Sequence, residues 1–210
     1  DNVAAPGQSQ FFSAMENWGA ILTFERILLN DPAITSAAAR QNIVTTQAHE
    51  VAHQWFGNLV TMAWWEDLWL NEGFASWMET KATAHFHPDW FPLLERVNGR
   101  DAAMGLDGFK TTHPIVQEIK TVDETNQAFD AITYQKGEAV ISMLESFAGE
   151  TVWRDGLRAY MRDHKFGNTR SKDLWQAIEK AGAPGLTAIA TDFTTKPGIP
   201  LVKVSGKGEN

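Results

Sequence analysis

The chain has 210 residues, of which 43% are hydrophobic and 21% are charged, and its formal net charge is -8. This composition is typical of one globular domain and contains no low-complexity stretch that would indicate disorder. An acidic balance without a clustered basic face argues against nucleic-acid binding and gives no electrostatic attraction to an anionic membrane. The sequence contains no cysteine, so any transition metal must be bound by histidine and carboxylate side chains.

No apolar run approaches the roughly 20 residues that span a bilayer, and the first ten residues lack the basic and apolar regions of a signal peptide. We therefore expect a soluble piece without a membrane segment. The absence of cysteine is compatible with cytoplasmic proteins and with periplasmic or secreted ones, so the sequence leaves the compartment open.

Short apolar runs between glycine, proline and serine residues predict a small sheet over about 1–30. Helical spacing of apolar residues predicts a helical body over about 35–195, and Gly57 and Asn58 supply the left-handed residues that commonly end a helix. The expected fold class is α+β and mostly helical. The predicted helices lie at about 36–56, 67–86, 90–104, 132–148, 151–164 and 172–181.

The end of the chain differs from the helical body. Its run P-G-I-P-L-V-K-V is typical of a turn that enters a strand, and no partner strand follows it. We therefore expect a catalytic domain over 1–195 and the start of a truncated β domain over 196–210.

The segment H-E-V-A-H places His49 and His53 four residues apart on the helix predicted over 36–56. Residues at this spacing project from one face about one turn apart, so both imidazoles can reach one metal ion. Glu72, in L-N-E-G-F-A-S-W, lies on the next predicted helix, which a helix-turn-helix can fold back toward the histidines. We expect these three side chains to bind one zinc ion per chain.

The residue types indicate the chemistry. Two neutral imidazoles and one carboxylate leave Zn²⁺ with net positive charge and an open fourth position for an acidified water, which is typical of a catalytic site. Glu50 follows His49 and is rotated about 100° around the helix, so it can take a proton as general base and return it to the leaving amine. Glu79 lies two turns beyond Glu72 and could orient a ligand imidazole, although a solvated helix charge explains it equally well.

Four sequence blocks carry a resemblance to a known family. They are S-A-M-E-N-W-G-A-I-L-T-F-E-R at 13–26, H-E-V-A-H-Q-W-F-G-N-L-V-T at 49–61, W-W-E-D-L-W-L-N-E-G-F-A-S-W at 64–77 and I-T-Y-Q-K-G-E-A-V-I at 132–141. In order and separation they resemble the gluzincin aminopeptidases of the aminopeptidase N type, which also include leukotriene A4 hydrolase. This resemblance covers nearly the whole chain. It implies a thermolysin-like zinc peptidase catalytic domain that works beside flanking β and helical domains.

The resemblance implies two roles that the metal spacing could not supply. In the family, the glutamate of G-A-M-E-N binds the free α-amine of the substrate, which implies this role for Glu16 beside Ala14 and Met15 in the substrate-binding strand. The tyrosine of Y-x-K-G donates to the oxyanion of the tetrahedral intermediate, which implies this role for Tyr134. Ser13 stands where the family has glycine, a residue that permits closer approach of a peptide backbone.

The sequence thus predicts a zinc aminopeptidase that acts on peptides with a free N-terminal amine. An endopeptidase or an epoxide hydrolase on the same scaffold is less favoured, because Glu16 resembles an amine anchor. A peptide-binding module that holds zinc without turnover is a third interpretation.

Overall fold

A computed structural model describes residues 1–9 and 12–206, and it contains a small sheet in front of a helical body. The predicted fold class, α+β and mostly helical, is therefore confirmed. In the sheet, the third strand pairs in parallel with the first and antiparallel with the second, so the second is an edge strand. The strands are β1 (Asn2–Ala5), β2 (Ala14–Met15) and β3 (Ile21–Phe24).

Within the described residues, eight α-helices form the body, and six of them overlap the predicted helices. The helices are α1 (Ala37–Ala52), α2 (Trp69–Phe86), α3 (Pro92–Asp107), α4 (Val122–Gln127), α5 (Gly137–Ala148), α6 (Glu150–His164), α7 (Ser171–Ala181) and α8 (Leu186–Thr195). A second sheet pairs β4 (Val60–Met62) in parallel with β5 (Gly167–Thr169).

Two helices and the second sheet were not predicted. The short helix α4 has no apolar face, and its N-terminus is stabilised by a capping box between Thr121 and Glu124. Helix α8 is rich in threonine, which has a low intrinsic helix propensity. Burial of Leu186, Ala190 and Thr194 accounts for that helix instead.

Two predicted helix boundaries differ from the structure. The helix predicted over 132–148 begins as a π-helical segment, Ile132–Lys136, which precedes α5. The helix predicted over 36–56 ends at Ala52, and of the predicted left-handed residues only Gly57, with φ of +128°, has a positive φ.

The segment 196–206 forms no helix or strand, and 207–210 lie outside the described residues. The proposal that a β domain begins here stays a prediction. Among the described residues, no helix is both long enough and apolar enough to cross a membrane.

Helix α2 lies at the centre of the body and packs against α1 on one side and α5 on another. The aromatic side chains of Trp69, Phe74 and Trp77 on α2 are buried in the main hydrophobic core. Phe74 stacks on Phe56 with ring centroids 4.8 Å apart, and Trp69 stacks on Trp175 at 5.3 Å. These contacts fix the position of the α2 axis. They therefore also fix the positions of the side chains on the opposite face of the helix.

Two glycines allow α2 and α5 to approach closely. A Cβ atom added to Gly73 would lie 3.3 Å from the Cα atom of Gly137 and 3.3 Å from the Thr133 carbonyl oxygen. Gly73 follows Glu72, and Gly137 follows the π-helical segment that carries Tyr134. The glycine contact therefore sets the separation between two predicted site residues.

Helices α6 and α7 both contact β5, the partner strand of β4, and they meet at Gly156. A Cβ atom at Gly156 would lie 2.7 Å from the Cα atom of Ile178, closer than packed carbon atoms tolerate. We expect Gly156→Ala to lower the free energy of unfolding by about 1–3 kcal/mol through overpacking. The urea midpoint measures this change.

The matched control is Gly105→Ala on α3, where no atom of the described residues outside the helix's own backbone lies within 4 Å of the added Cβ atom. Because alanine favours a helix over glycine, this control should stabilise the protein by about 0.5–1 kcal/mol. Equal urea midpoints for the two variants would show that α6 and α7 do not approach each other this closely at Gly156.

Candidate active site

Two packed helices bring the three predicted metal ligands together. His49 lies in the last turn of α1, His53 immediately follows that helix, and Glu72 lies in the first turn of α2. The Nε2 atoms of the two histidines are 3.1 Å apart, and each is 3.3 Å from Glu72 Oε2. The three ligand atoms thus form a nearly equilateral triangle.

The dimensions of this triangle fit a tetrahedral metal ion. When a zinc ion is about 2.0–2.1 Å from each of its ligands, neighbouring ligand atoms in a tetrahedron are about 3.3–3.4 Å apart. The observed separations of 3.1 and 3.3 Å are close to that edge. Two imidazole nitrogens and a carboxylate oxygen are also the donor types that zinc accepts.

The other ring nitrogen of each histidine has an acceptor that fixes the ring. His49 Nδ1 lies 3.2 Å from Glu79 Oε2, and His53 Nδ1 lies 2.9 Å from the Phe56 carbonyl oxygen. When Nδ1 donates to these oxygens, each Nε2 presents a lone pair to the triangle. Glu79 thus has the contact that an orienting carboxylate needs, and sequence spacing alone did not reveal the Phe56 contact.

The charges at the triangle favour a bound cation. Burial lowers the pKa of His49, but hydrogen bonds and attraction to Glu72 and Glu79 outweigh burial and raise the pKa to about 10. The pKa of His53 is raised as well, again against the effect of burial and mainly through Glu72. Burial would raise the pKa of Glu72, yet the two imidazoles lower it to about 2. The carboxylate is therefore ionised, and the site stabilises positive charge beside it.

Glu50 lies beside the triangle with a buried carboxyl group. The residue is only 6% exposed, and its Oε2 atom has no hydrogen-bond partner among the described residues. Burial raises the pKa of this carboxyl to about 7, although the nearby His49 and His53 oppose the shift. A carboxyl group with a free oxygen and a pKa near neutrality can both accept and release a proton.

Tyr134 reaches the same place from the π-helical segment. Its ring stacks on His49 with centroids 6.0 Å apart, which places the phenol near the Glu72 carboxylate. Burial, with the charge of Glu72, raises the pKa of Tyr134, so the phenol stays protonated and remains a donor. π-Helical turns inside α-helices are frequent at functional sites.

The predicted substrate-binding residues lie at the edge of the first sheet. Ala14 and Met15 form β2, the edge strand, and Glu16 follows it with a partly buried carboxylate 4.0 Å from His53 Nδ1. The Glu16 carbonyl oxygen accepts hydrogen bonds from the side-chain amides of Gln54 at 3.3 Å and Asn58 at 2.8 Å. These two amides, which the sequence analysis missed, fix the strand relative to the metal ligands.

Of the site residues predicted from the sequence, all except Glu79 line one cavity of about 1030 Å³. Its walls also include aromatic and apolar side chains to which the sequence assigned no role. They are Phe12, Met62, Trp64, Trp65, Leu68 and Phe129. The arrangement can hold a cation, move a proton and accommodate an extended peptide beside an edge strand.

Comparisons with known proteins show what the chain is similar to. The profile of the Peptidase family M1 domain matches residues 1–193. Aminopeptidase M1-D of Oryza sativa subsp. japonica is 40% identical over 210 residues, which are 100% of this chain and 24% of that protein. Probable aminopeptidase 1 of Saccharolobus solfataricus is 42% identical over 198 residues, or 94% of this chain and 25% of that protein.

A third relative is Tricorn protease-interacting factor F2 of Thermoplasma volcanium. It is 42% identical over 196 residues, which are 93% of this chain and 25% of that protein. The chain thus spans about a quarter of the length of the curated relatives it matches.

The contact between Glu79 and His49 predicts an effect on metal affinity. Glu79→Gln should weaken zinc binding by about 10–100-fold, the usual cost of losing a carboxylate that orients a ligand histidine. Competition with a chromophoric chelator measures the affinity. Glu118→Gln, at an exposed carboxylate, is the matched control and should leave the affinity unchanged. Equal affinities for both variants would mean that Glu79 is only a solvated helix charge.

Proposed function

Because this chain belongs to peptidase family M1, we propose that it is the catalytic domain of a zinc aminopeptidase that releases N-terminal residues from peptides. The observation that carries this proposal is the triangle of His49, His53 and Glu72 with the unpartnered Glu50 oxygen beside it. The rice and Saccharolobus relatives, which are named aminopeptidases, support it.

The three ligands would hold one zinc ion. When bound there, zinc supplies Lewis acidity, which polarises the scissile carbonyl and makes a water easier to deprotonate. With the ion bound, each Nε2 would carry a lone pair in place of a proton, and Glu79 and the Phe56 carbonyl would orient the rings by accepting the other N–H groups.

Glu50 moves the proton. Its free Oε2 atom accepts a proton from the attacking water, and its pKa of about 7 allows it to pass that proton to the departing amine. The same carboxyl thus acts first as general base and then as general acid. Burial matters here because an exposed carboxyl would be too acidic to carry the proton at neutral pH.

Tyr134 stabilises the negative charge that develops on the substrate carbonyl oxygen. Burial and the charge of Glu72 keep its hydroxyl protonated, and its ring is held against His49 in the same cavity. A donor that is held in place before the reaction stabilises an oxyanion without reorganisation at the moment of bond formation.

Glu16 binds the free α-amine of the substrate. Its carboxylate lies at the end of the edge strand β2 and near His53, so an ammonium group bound there would sit next to the reacting centre. A charge-assisted hydrogen bond at this point fixes how far the chain enters the cavity. Flanking domains, which the greater length of the relatives indicates, would complete the walls of the substrate site.

Glu50→Gln separates proton transfer from metal binding. We expect this variant to retain one zinc per chain and to lose about 10²–10⁴-fold in kcat, because an amide cannot accept the proton from water. Zinc is measured by plasma mass spectrometry and kcat with an aminoacyl anilide on the full-length enzyme. Loss of zinc would make Glu50 a ligand, and an unchanged kcat would exclude it as the base.

The proposed role of Glu16 predicts that cleavage depends on the free α-amine of the substrate. An N-acetylated peptide should be a poor substrate, and Glu16→Gln should lower kcat/KM for the free peptide by about 10–150-fold, the effect of one lost charged partner. Both peptides are compared on both enzymes, with zinc content measured. Equal cleavage of the free and acetylated peptides by the parent enzyme would favour an endopeptidase, whereas zinc binding without turnover would favour a peptide-binding module.

A further inference from the structure

The start of the π-helical segment is fixed by one carboxylate. Asp130 Oδ1 accepts hydrogen bonds from the backbone N–H groups of Ile132 at 2.9 Å and Thr133 at 3.1 Å. The backbone N–H of Tyr134 also donates to the Asp130 carbonyl oxygen at 3.1 Å. Asp130 therefore caps the N-terminus of the segment and fixes the backbone position of Tyr134 within it.

A histidine holds the other oxygen of this carboxylate. His113 Nε2 lies 2.7 Å from Asp130 Oδ2, and His113 Nδ1 lies 2.7 Å from the Pro114 carbonyl oxygen. Both ring nitrogens face acceptors, so the doubly protonated ring satisfies both contacts. The hydrogen bond to Asp130 raises the pKa of His113 despite partial burial. The result is an ion pair in which one partner caps the segment.

A second ion pair fixes the other end of the segment. Lys136 Nζ lies 2.7 Å from Asp107 Oδ2, on the buried end of α3. Asp107 Oδ1 also accepts hydrogen bonds from the Thr112 hydroxyl at 2.8 Å and from the Gly198 backbone N–H at 2.9 Å. Charged groups from outside the segment therefore hold both of its ends.

A π-helical turn is rare and needs support from its surroundings. Here the N–H groups of Gln135 and Lys136 share one acceptor, the Ala131 carbonyl oxygen, at 3.0 Å each. We propose that the Asp130 carboxylate, held by His113, is a positioning group for the Tyr134 hydroxyl. The Lys136 pair serves as the second anchor. This inference rests on the proposed role of Tyr134 in catalysis.

A double-mutant cycle in the full-length enzyme tests this inference. Asp130→Ala should lower kcat by about 100-fold, the cost of displacing a catalytic group by about 1 Å, with little change in KM and in zinc content. If Asp130 acts through the Tyr134 hydroxyl, the same change in a Tyr134→Phe background should lower kcat further by less than about 3-fold. Equal fold losses in both backgrounds would overturn the proposal.

Asp130→Asn is the conservative variant and remains usable if Asp130→Ala does not fold. It keeps an oxygen that can cap Ile132 and Thr133 but loses the charge that binds His113. Its loss of kcat should be smaller than that of Asp130→Ala and should again largely disappear in the Tyr134→Phe background. An equal fold loss of kcat in the Tyr134→Phe background would overturn the proposal.

Fluorine NMR of enzyme labelled with 3-fluorotyrosine reports the position of Tyr134 without any activity. The resonance that Tyr134→Phe removes belongs to Tyr134, and Asp130→Ala should shift or broaden it. Asp163→Ala, which breaks an exposed ion pair with Arg162, is the matched control and should leave it in place. An unmoved resonance in Asp130→Ala would contradict the proposal.

The two measurements separate this inference from the proposed function. If Tyr134→Phe kept full activity while Asp130→Ala moved the fluorine resonance, the catalytic role of Tyr134 would be wrong and its anchoring by Asp130 would stand. If Tyr134→Phe lost activity while Asp130→Ala changed neither kcat nor the resonance, the catalytic role would stand and the anchoring would be wrong.

Discussion

Three ligand atoms from α1 and α2 must lie 3.1–3.3 Å from one another in a largely buried site, and the rest of the structure depends on this constraint. Two imidazole lone pairs and a carboxylate repel each other at such distances unless a positive charge lies between them. A metal ion can supply that charge, and so can a proton on a histidine, because Glu72 raises the pKa of both rings. The aromatic core behind α2 supplies the rigid support that holds the three groups in place.

The same packing connects the ligands to the other reacting groups. Gly73 and Gly137 let α5 approach α2, which brings Tyr134 beside His49 and into the same cavity as Glu72. On the opposite side, Gln54 and Asn58 lie close to the ligand histidines and hold the carbonyl oxygen of Glu16. One arrangement of helices thus places the proposed metal ligands, Tyr134 and the Glu16 carboxylate around a single cavity.

The closeness of His49 and His53 could be predicted because it depends on local helix geometry. His49 and His53 share a helix face by spacing alone, and Glu50 follows from its position between them. The fold class followed from apolar periodicity. By contrast, the π-helical segment that precedes α5 depends on contacts of Asp130 and Lys136 with His113 and Asp107. No local sequence pattern reveals such contacts.

Helix α8 and the pairing of β4 with β5 escaped prediction for the same reason. The threonine-rich sequence of α8 disfavours a helix locally, and burial of Leu186 and Ala190 against the core decides its structure. The strands of the second sheet are short and more than a hundred residues apart in sequence. Tyr134 and Glu16 were placed at the site only through family resemblance, because neither has a spacing relation to the histidines.

The central claim is that His49, His53 and Glu72 bind a single zinc ion that catalysis requires. Crystallographic data from the active full-length enzyme, collected on both sides of the zinc absorption edge, test it most directly. The account predicts one strong anomalous peak, present only above the edge, at about 2.0–2.2 Å from the two Nε2 atoms and a Glu72 oxygen. A zinc-saturated, active enzyme with its peak elsewhere, or with no peak at these ligands, would contradict the account.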